Sequence, residues 1–225
     1  MSSVTALIAA AGSGERLGLG PKAFVRVGGL TLLELAVTAV RGAATEIVVA
    51  VPAEHLGPAR QLAPEATIIS GGTDRQATVR AMLAASHGDV VLVHDVARPF
   101  VTPAVLRRVL AAVEATGAAT AALAPADTVI MAEHGDVVQR ELLRLVQTPQ
   151  GFHRSLLAEA HEAAAQAGVS ATDDAALVRR LGRAVALVEG SPLLSKLTVA
   201  GDLPLFEALH AVWLKETRAV QSAAR

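Results

Sequence analysis

Apolar residues along this chain come in short unbroken runs. Ile47-Val48-Val49-Ala50-Val51 and Val90-Val91-Leu92-Val93 are apolar at every position instead of alternating with polar ones, as in strands covered on both faces of a mainly parallel sheet. The strand candidates are Thr5 to Ala9, Glu46 to Val51, Thr67 to Ser70, Val90 to His94, Ala119 to Ala124 and Ala184 to Glu189. Helical patterns fill the gaps. Thr31-Leu32-Leu33-Glu34 is a capping box opening a helix to about Ala43, and Thr102-Pro103 sets a cap and an N1 proline before a helix ending near Gly117. Arg75 to Ser86, Ser155 to Ala167, Thr172 to Leu181 and Pro204 to Val220 complete the helices. Regular alternation of the two predicts an α/β fold with helices on both faces of the sheet.

One segment breaks the alternation. Thr128-Val129-Ile130-Met131, a polar turn at Glu133-His134-Gly135-Asp136 and Val137-Val138-Gln139 read as an inserted β-hairpin arm at about 126–147. Such an arm is a lid, an oligomer contact or surface decoration. No repeat, linker or long charge run divides the chain, so residues 1–225 are expected to form a single domain.

Composition narrows the function. The chain is 52% hydrophobic but only 2% aromatic, with one Trp and no Tyr. Its core must therefore be built from Ala, Val and Leu, and exposed aromatics for base stacking are missing. Lys and Arg total 20 against 21 acids, so no overall field points to nucleic acid or to an anionic membrane. Absence of cysteine excludes disulfides, thiolate nucleophiles and Cys-ligated zinc. The seven histidines form no i, i+4 pair, which argues against a dedicated protein metal cage. With neither a secretory leader pattern nor a membrane-spanning run, a cytoplasmic protein is expected.

Chemistry in a parallel α/β sheet belongs beyond the carboxyl ends of the strands. After the first strand comes Ala9-Ala10-Ala11-Gly12-Ser13-Gly14-Glu15-Arg16, followed by Pro21-Lys22. Small residues let backbone N–H groups turn toward an anion, and a guanidinium and an ammonium six positions apart suit the separate oxygens of a triphosphate. The loop is neither of two commoner glycine motifs. A dinucleotide fingerprint needs glycine where Leu17 stands, and a P-loop needs Lys-Ser/Thr where Lys22-Ala23 stands. After the third strand, Gly71-Gly72-Thr73 permits close backbone approach and Thr78 can aim a hydroxyl inward. After the fourth, His94-Asp95-Val96-Ala97-Arg98-Pro99 offers Asp95 for Mg²⁺ or a substrate hydroxyl, and Arg98 to fix it or a phosphate. Late in the chain, Lys196 follows a strand and a proline turn and can reach the same edge.

These stretches, together with Asp127-Thr128, Thr148-Pro149-Gln150-Gly151-Phe152, Thr172-Asp173-Asp174 and Lys196-Leu197-Thr198, stand in one order along the chain. In that order and spacing the chain resembles the 2-C-methyl-D-erythritol 4-phosphate cytidylyltransferase family over nearly its whole length. The resemblance implies a Rossmann-like nucleotidyltransferase fold, a homodimer held through the arm, Mg²⁺, and transfer of cytidylyl from CTP to a small phosphoalcohol with release of pyrophosphate. It implies catalytic roles for Arg16, Lys22 and Lys196. Ala10, Ala11, Gly12, Gly14, Gly72, Thr73 and Thr78 match positions that bind CTP. Asp95, Arg98, Thr148 and Thr172 match positions around the phosphoalcohol, with Asp95 also near the metal, while Thr128 and Arg140 match arm residues that reach a neighbouring subunit's site. Two features depart from the family pattern: Ala9 replaces a common proline, and the segment before Asp127-Thr128 is one residue shorter and lacks a basic residue after it. Rival readings are a cytidylyltransferase for another polyol phosphate, such as ribitol 5-phosphate, and a non-catalytic nucleotide-binding module.

Overall fold

In the computed structural model, which describes residues 2–223, the six expected strands lie in one sheet. They are β1 (Val4–Ala9), β4 (Glu46–Val51), β5 (Thr67–Ser70), β6 (Val90–Asp95), β7 (Ala118–Leu123) and β11 (Ala186–Glu189). Two-residue strands β2 (Arg26–Val27) and β3 (Leu30–Thr31) form a separate small hairpin. The helices are α1 (Leu32–Val40), α2 (Leu56–Leu62), α3 (Arg75–Ala84), α4 (Pro103–Thr116), α5 (Arg154–Gln166), α6 (Asp174–Arg180) and α7 (Leu203–Ala223). The domain reading at Met1, Ala224 and Arg225 lies outside the described residues.

The unbroken apolar runs are explained by burial on both faces. In β4, Ile47, Val49 and Val51 join one core cluster and Val48 and Ala50 the other, and β6 divides in the same way between Val90 and Leu92 and Val91 and Val93. One layer carries α1, α4 and α7, with Phe100, Phe206 and Trp213 among its largest members; the other carries α3, α5 and α6. The capping box at Thr31 and Glu34 is present as expected, with both reciprocal bonds made.

Besides the small β2–β3 hairpin, a helix and a strand were not foreseen. Helix α2 contains Gly57 and Pro58, a pair that reads as a turn, but proline is tolerated in a first helical turn where its missing N–H has no partner to lose. More consequential is β10 (Leu145–His153), which runs antiparallel between β6 and β7 in the middle of the sheet. Its sequence, with Pro149, Gly151 and the polar Gln147, Thr148 and Gln150, lacks any strand signature. The structure accommodates each departure. The Thr148-Pro149 bond is cis, and the pairing with β7 is irregular between Val146 and Gln150. A side chain at Gly151 would meet Val109 and Val113 of α4 at 2.7 Å, so glycine lets that helix lie against the strand.

The inserted hairpin is also present, as β8 (Val129–Ile130) and β9 (Val137–Val138). It gives way to β10 at Leu145, inside the stretch assigned to the arm.

The strand order is β11-β7-β10-β6-β1-β4-β5. From β1 the chain moves outward to β4 and β5 and then returns to place β6 on the other side of β1. That reversal opens a crevice beyond the carboxyl ends of β1 and β6, where ligands of such sheets bind.

Candidate active site

A cavity of about 550 Å³ occupies that crevice, within the usual range for small-molecule sites. Its walls include Ala11, Gly12 and Gly14 of the first loop, Gly72, Thr73 and Thr78 of the second, and the side chains of Arg16, Lys22, Asp95 and Lys196. Asp95 shares this space with the first loop because β1 and β6 are neighbours, and Lys196 joins it because the Leu197 N–H is bonded to the Ala97 carbonyl.

The first loop is set by its backbone. Ala10 donates its N–H to the Ala50 carbonyl at 2.9 Å and is buried beneath the loop, not on the cavity wall. Gly14 has φ 74°, and a Cβ there would lie 2.1 Å from the Gly20 carbonyl oxygen; only glycine satisfies both conditions. Leu17 is buried and anchors the following single helical turn, Glu15–Leu17. That leaves Arg16 exposed at the cavity, with no hydrogen bond or ion pair to any described residue. Lys22 donates to the Leu197 carbonyl at 2.7 Å. Burial, then the nearby charges of Lys196 and Arg16, hold its ammonium below the ordinary lysine value. The cations crowd one another, an arrangement that a polyanionic ligand would relieve.

The second loop is held by Thr78. Its hydroxyl donates to the Asp74 carbonyl at 2.7 Å and accepts the Gly72 N–H at 3.0 Å. The hydroxyl expected to point at a ligand thus braces the loop that lines the cavity.

Asp95 ends β6. Its Oδ2 accepts from Lys196 Nζ at 2.8 Å and its Oδ1 from Arg75 Nε at 3.3 Å. Burial pushes this carboxyl up, but Arg75 and Lys196 outweigh it and hold it well below the usual carboxylate range. Lys196 reaches the edge as the sequence suggested, after a turn at Pro192–Leu194 capped by Ser191, and Leu197 N–H ties the segment to the Ala97 carbonyl at 2.9 Å.

Behind Asp95 lie two residues expected nearer the ligand. Thr148 is buried; its hydroxyl accepts the Asp95 N–H at 3.1 Å and stands 3.0 Å from His94 Nδ1. His94 Nε2 lies 2.9 Å from the Arg98 carbonyl. A carbonyl only accepts, so Nε2 carries the hydrogen and Nδ1 takes the Thr148 proton. Arg98 spends its guanidinium on the Leu194 carbonyl at 2.6 Å and the Val146 carbonyl at 3.5 Å. It bolts three segments together beneath the site and does not line the cavity. Thr128 and Arg140 sit exposed on the arm, where Arg140 donates to the Ala126 carbonyl, and Thr172 is exposed just before the α6 cap; none of the three lines the cavity.

Sequence reasoning missed Arg75 as a site residue. It stands on the cavity wall and touches Asp95. Its signal was present in Gly71-Gly72-Thr73-Asp74-Arg75, where the glycines drew attention away from the arginine.

His94 carries a measurable consequence. The side chain is 0% exposed, and burial pushes the imidazole down to about 4. Unfolded histidine protonates near 6.5, so between those values the unfolded chain binds the extra proton and stability falls as pH falls. Metal-free urea unfolding should lose about 3 kcal/mol from this group between pH 6.5 and pH 4. His94→Gln, whose amide can still donate to the Arg98 carbonyl, should flatten that slope; an unchanged slope would place the titration elsewhere.

Among the described residues no three His, Cys, Asp or Glu side chains gather to hold a metal ion, and no helix is long and apolar enough to cross a membrane. A Mg²⁺ ion here would find a single carboxylate, Asp95, and would need ligand phosphates and water for its other positions.

Comparison with known proteins gives the family. The family model for 2-C-methyl-D-erythritol 4-phosphate cytidylyltransferase (IspD) matches residues 4–211. The chain is 53% identical to the Deinococcus radiodurans protein of that name over 207 residues, 91% of this chain and 88% of that protein. It is 51% identical to a Thermus thermophilus protein of that name over 213 residues, 93% of this chain and 98% of that one. The crystal structure of a Thermus thermophilus enzyme of that name superposes with a TM-score of 0.82 at 46% identity, over 91% of this chain and 98% of that one. The bifunctional IspDF of Campylobacter jejuni gives 0.80 at 27% identity over 90% of this chain and 54% of that protein. This chain belongs to the 2-C-methyl-D-erythritol 4-phosphate cytidylyltransferase family.

Proposed function

We propose that the cavity binds CTP and 2-C-methyl-D-erythritol 4-phosphate together and joins them as 4-CDP-2-C-methyl-D-erythritol, a step of isoprenoid precursor synthesis. The observation that carries the reading is the convergence of Arg16, Lys22 and Lys196 on one crevice whose floor holds the carboxylate of Asp95.

A phosphate oxygen of the acceptor attacks the α-phosphorus of CTP. The bond from that phosphorus to the oxygen bridging the β-phosphate breaks, and pyrophosphate leaves with the electron pair. An anionic nucleophile needs no strong base; the obstacle is repulsion between two polyanions. Arg16, unpaired among the described residues and exposed, and Lys22, crowded by other cations, offset that repulsion and stabilise charge on the five-coordinate phosphorus. Lys196 can exchange Asp95 for the acceptor phosphate. Mg²⁺ held between Asp95 and the CTP phosphates would supply further charge neutralisation. Backbone groups at Ala11, Gly12, Gly14, Gly72 and Thr73 suit recognition of the nucleoside. The acceptor contacts expected at Thr128, Arg140 and Thr172 belong to the same reading, while Arg98 and Thr148 support the site from beneath it.

The arm supports a homodimer. Ile130, Met131, Val137 and Leu142 expose apolar side chains there, a cluster that an interface would cover. Thr128 and Arg140 would then approach the site of the second copy.

Pyrophosphate release tests the function, with CTP, Mg²⁺ and methylerythritol 4-phosphate run beside ribitol 5-phosphate and beside UTP and ATP. Turnover is expected with CTP and methylerythritol phosphate alone. Turnover only with ribitol phosphate would overturn the acceptor assignment, and CTP binding without any turnover would make the chain a nucleotide-binding module.

A further inference from the structure

Asp95 is braced by residues that lie deeper than the cavity. Arg75 at the start of α3 donates Nε to Asp95 and an outer nitrogen to Asp174 Oδ2 at 2.7 Å. Asp174, in the first turn of α6, accepts from His161 Nε2 of α5 through its other oxygen at 2.9 Å. The side chains of Asp174 and His161 are each 1% exposed. Helices α3, α6 and α5 are thus joined in one chain of contacts, which runs Lys196, Asp95, Arg75, Asp174, His161.

For packing alone this is a costly arrangement. His161 sits among Leu157, Ala160 and Ala164 in the apolar layer of α5, and its Nδ1 has no partner. A buried ring nitrogen left unsatisfied destabilises the fold, and a buried carboxylate is tolerated only because it is paired. An aliphatic pair would fill the same space without either cost.

The two cations on Asp95 differ in freedom. Lys196 is 42% exposed and held at one point, so it can follow an arriving phosphate. Arg75 is held at both ends, yet it lines the cavity. Were its far end free, its guanidinium would turn onto the CTP phosphates, and Asp95 would lose both partners at once. Accordingly, we propose that Arg75 is a positioning residue: it keeps Asp95 in place while Lys196 passes from that carboxylate to the acceptor phosphate, and the buried Asp174–His161 pair stops Arg75 from following. The inference rests on the reaction proposed above. It divides ground-state binding from turnover, since a freed Arg75 would hold CTP better and serve the transfer worse.

The test is Asp174→Asn in the full-length protein, which removes the charge while keeping the shape, with CTP–Mg²⁺ affinity measured by calorimetry and turnover by pyrophosphate release. Turnover is expected to fall about tenfold while CTP binds about threefold more tightly. Should Asp174→Asn fail to fold, His161→Leu provides the same comparison with smaller changes of the same signs, and His161→Gln, which can still donate to Asp174, should restore both values. A merely structural role would weaken binding along with turnover, in step with lost thermal stability. CTP binding that is unchanged or weaker in the variants overturns the proposal. Wild-type turnover with methylerythritol phosphate is the separate check on the reaction; if it fails, the opposite shift in CTP affinity still judges the brace.

Discussion

Arg16→Ala is expected to lower turnover by about a thousandfold and to leave CTP affinity within about tenfold of the parent. Arg16 is exposed at the cavity and bonded to no described residue, so its removal changes the fold's stability by no more than about 0.5 kcal/mol. What is lost is a fork-shaped cation beside the α-phosphorus, where charge grows only as the acceptor oxygen arrives. Ground-state CTP keeps Lys22 and the loop N–H groups. Lys22→Ala should show the same split with a small added loss of stability, because its ammonium also ties the first loop to the Leu197 carbonyl. Steady-state kinetics beside calorimetric CTP binding distinguish the cases: equal losses in turnover and affinity would make these residues simple phosphate anchors.

The second large effect is expected at Asp95. Asp95→Asn should lower turnover by about a hundredfold and cost about 3 kcal/mol of stability at pH 7. The sign follows from the carboxyl, which is held well below its unfolded value by Arg75 and Lys196. Its contribution is complete above the unfolded pKa near 3.9 and is lost as pH falls toward the folded value. The neutral amide forfeits that contribution at every pH and leaves four cations, Arg16, Lys22, Arg75 and Lys196, facing one cavity. CTP should therefore restore more of the variant's stability than of the parent's, since a polyanion supplies the missing counter-charge. Urea unfolding with and without CTP checks this; equal stability of variant and parent would show that the Asp95 pairs contribute nothing to the fold.

His94 and Thr148 explain why Asp95 is held so firmly. Its carboxylate answers to Arg75 and Lys196, while its backbone N–H is fixed by a hydroxyl that a buried neutral imidazole orients.

Local signals in the chain determined most of the scaffold. Runs apolar at every position marked strands buried on both faces, caps and glycines marked the ends of α1 and α4, and the polar turn at 133–136 marked the hairpin. Those features depend on neighbours a few residues apart, so they are legible one residue at a time. The glycine-rich first loop at the cavity was legible too, because glycines and spaced cations are a local pattern. Only the tertiary structure could decide β10, since Pro149, Gly151 and buried Gln150 become a central strand through an irregular register, a helix lying against glycine, and hydrogen bonds to Thr120 and Asp173. It also decided which protein partners the polar side chains take. Thr78, Arg98 and Thr148 read as ligand groups from their types, yet each bonds to protein, Thr78 while also lining the cavity, whereas Arg75 gained its place from Asp174, 99 residues away. A side chain's chemistry is written in the sequence, but its partner is set by whatever the folded chain brings within about 3 Å, and that depends on contacts between distant residues.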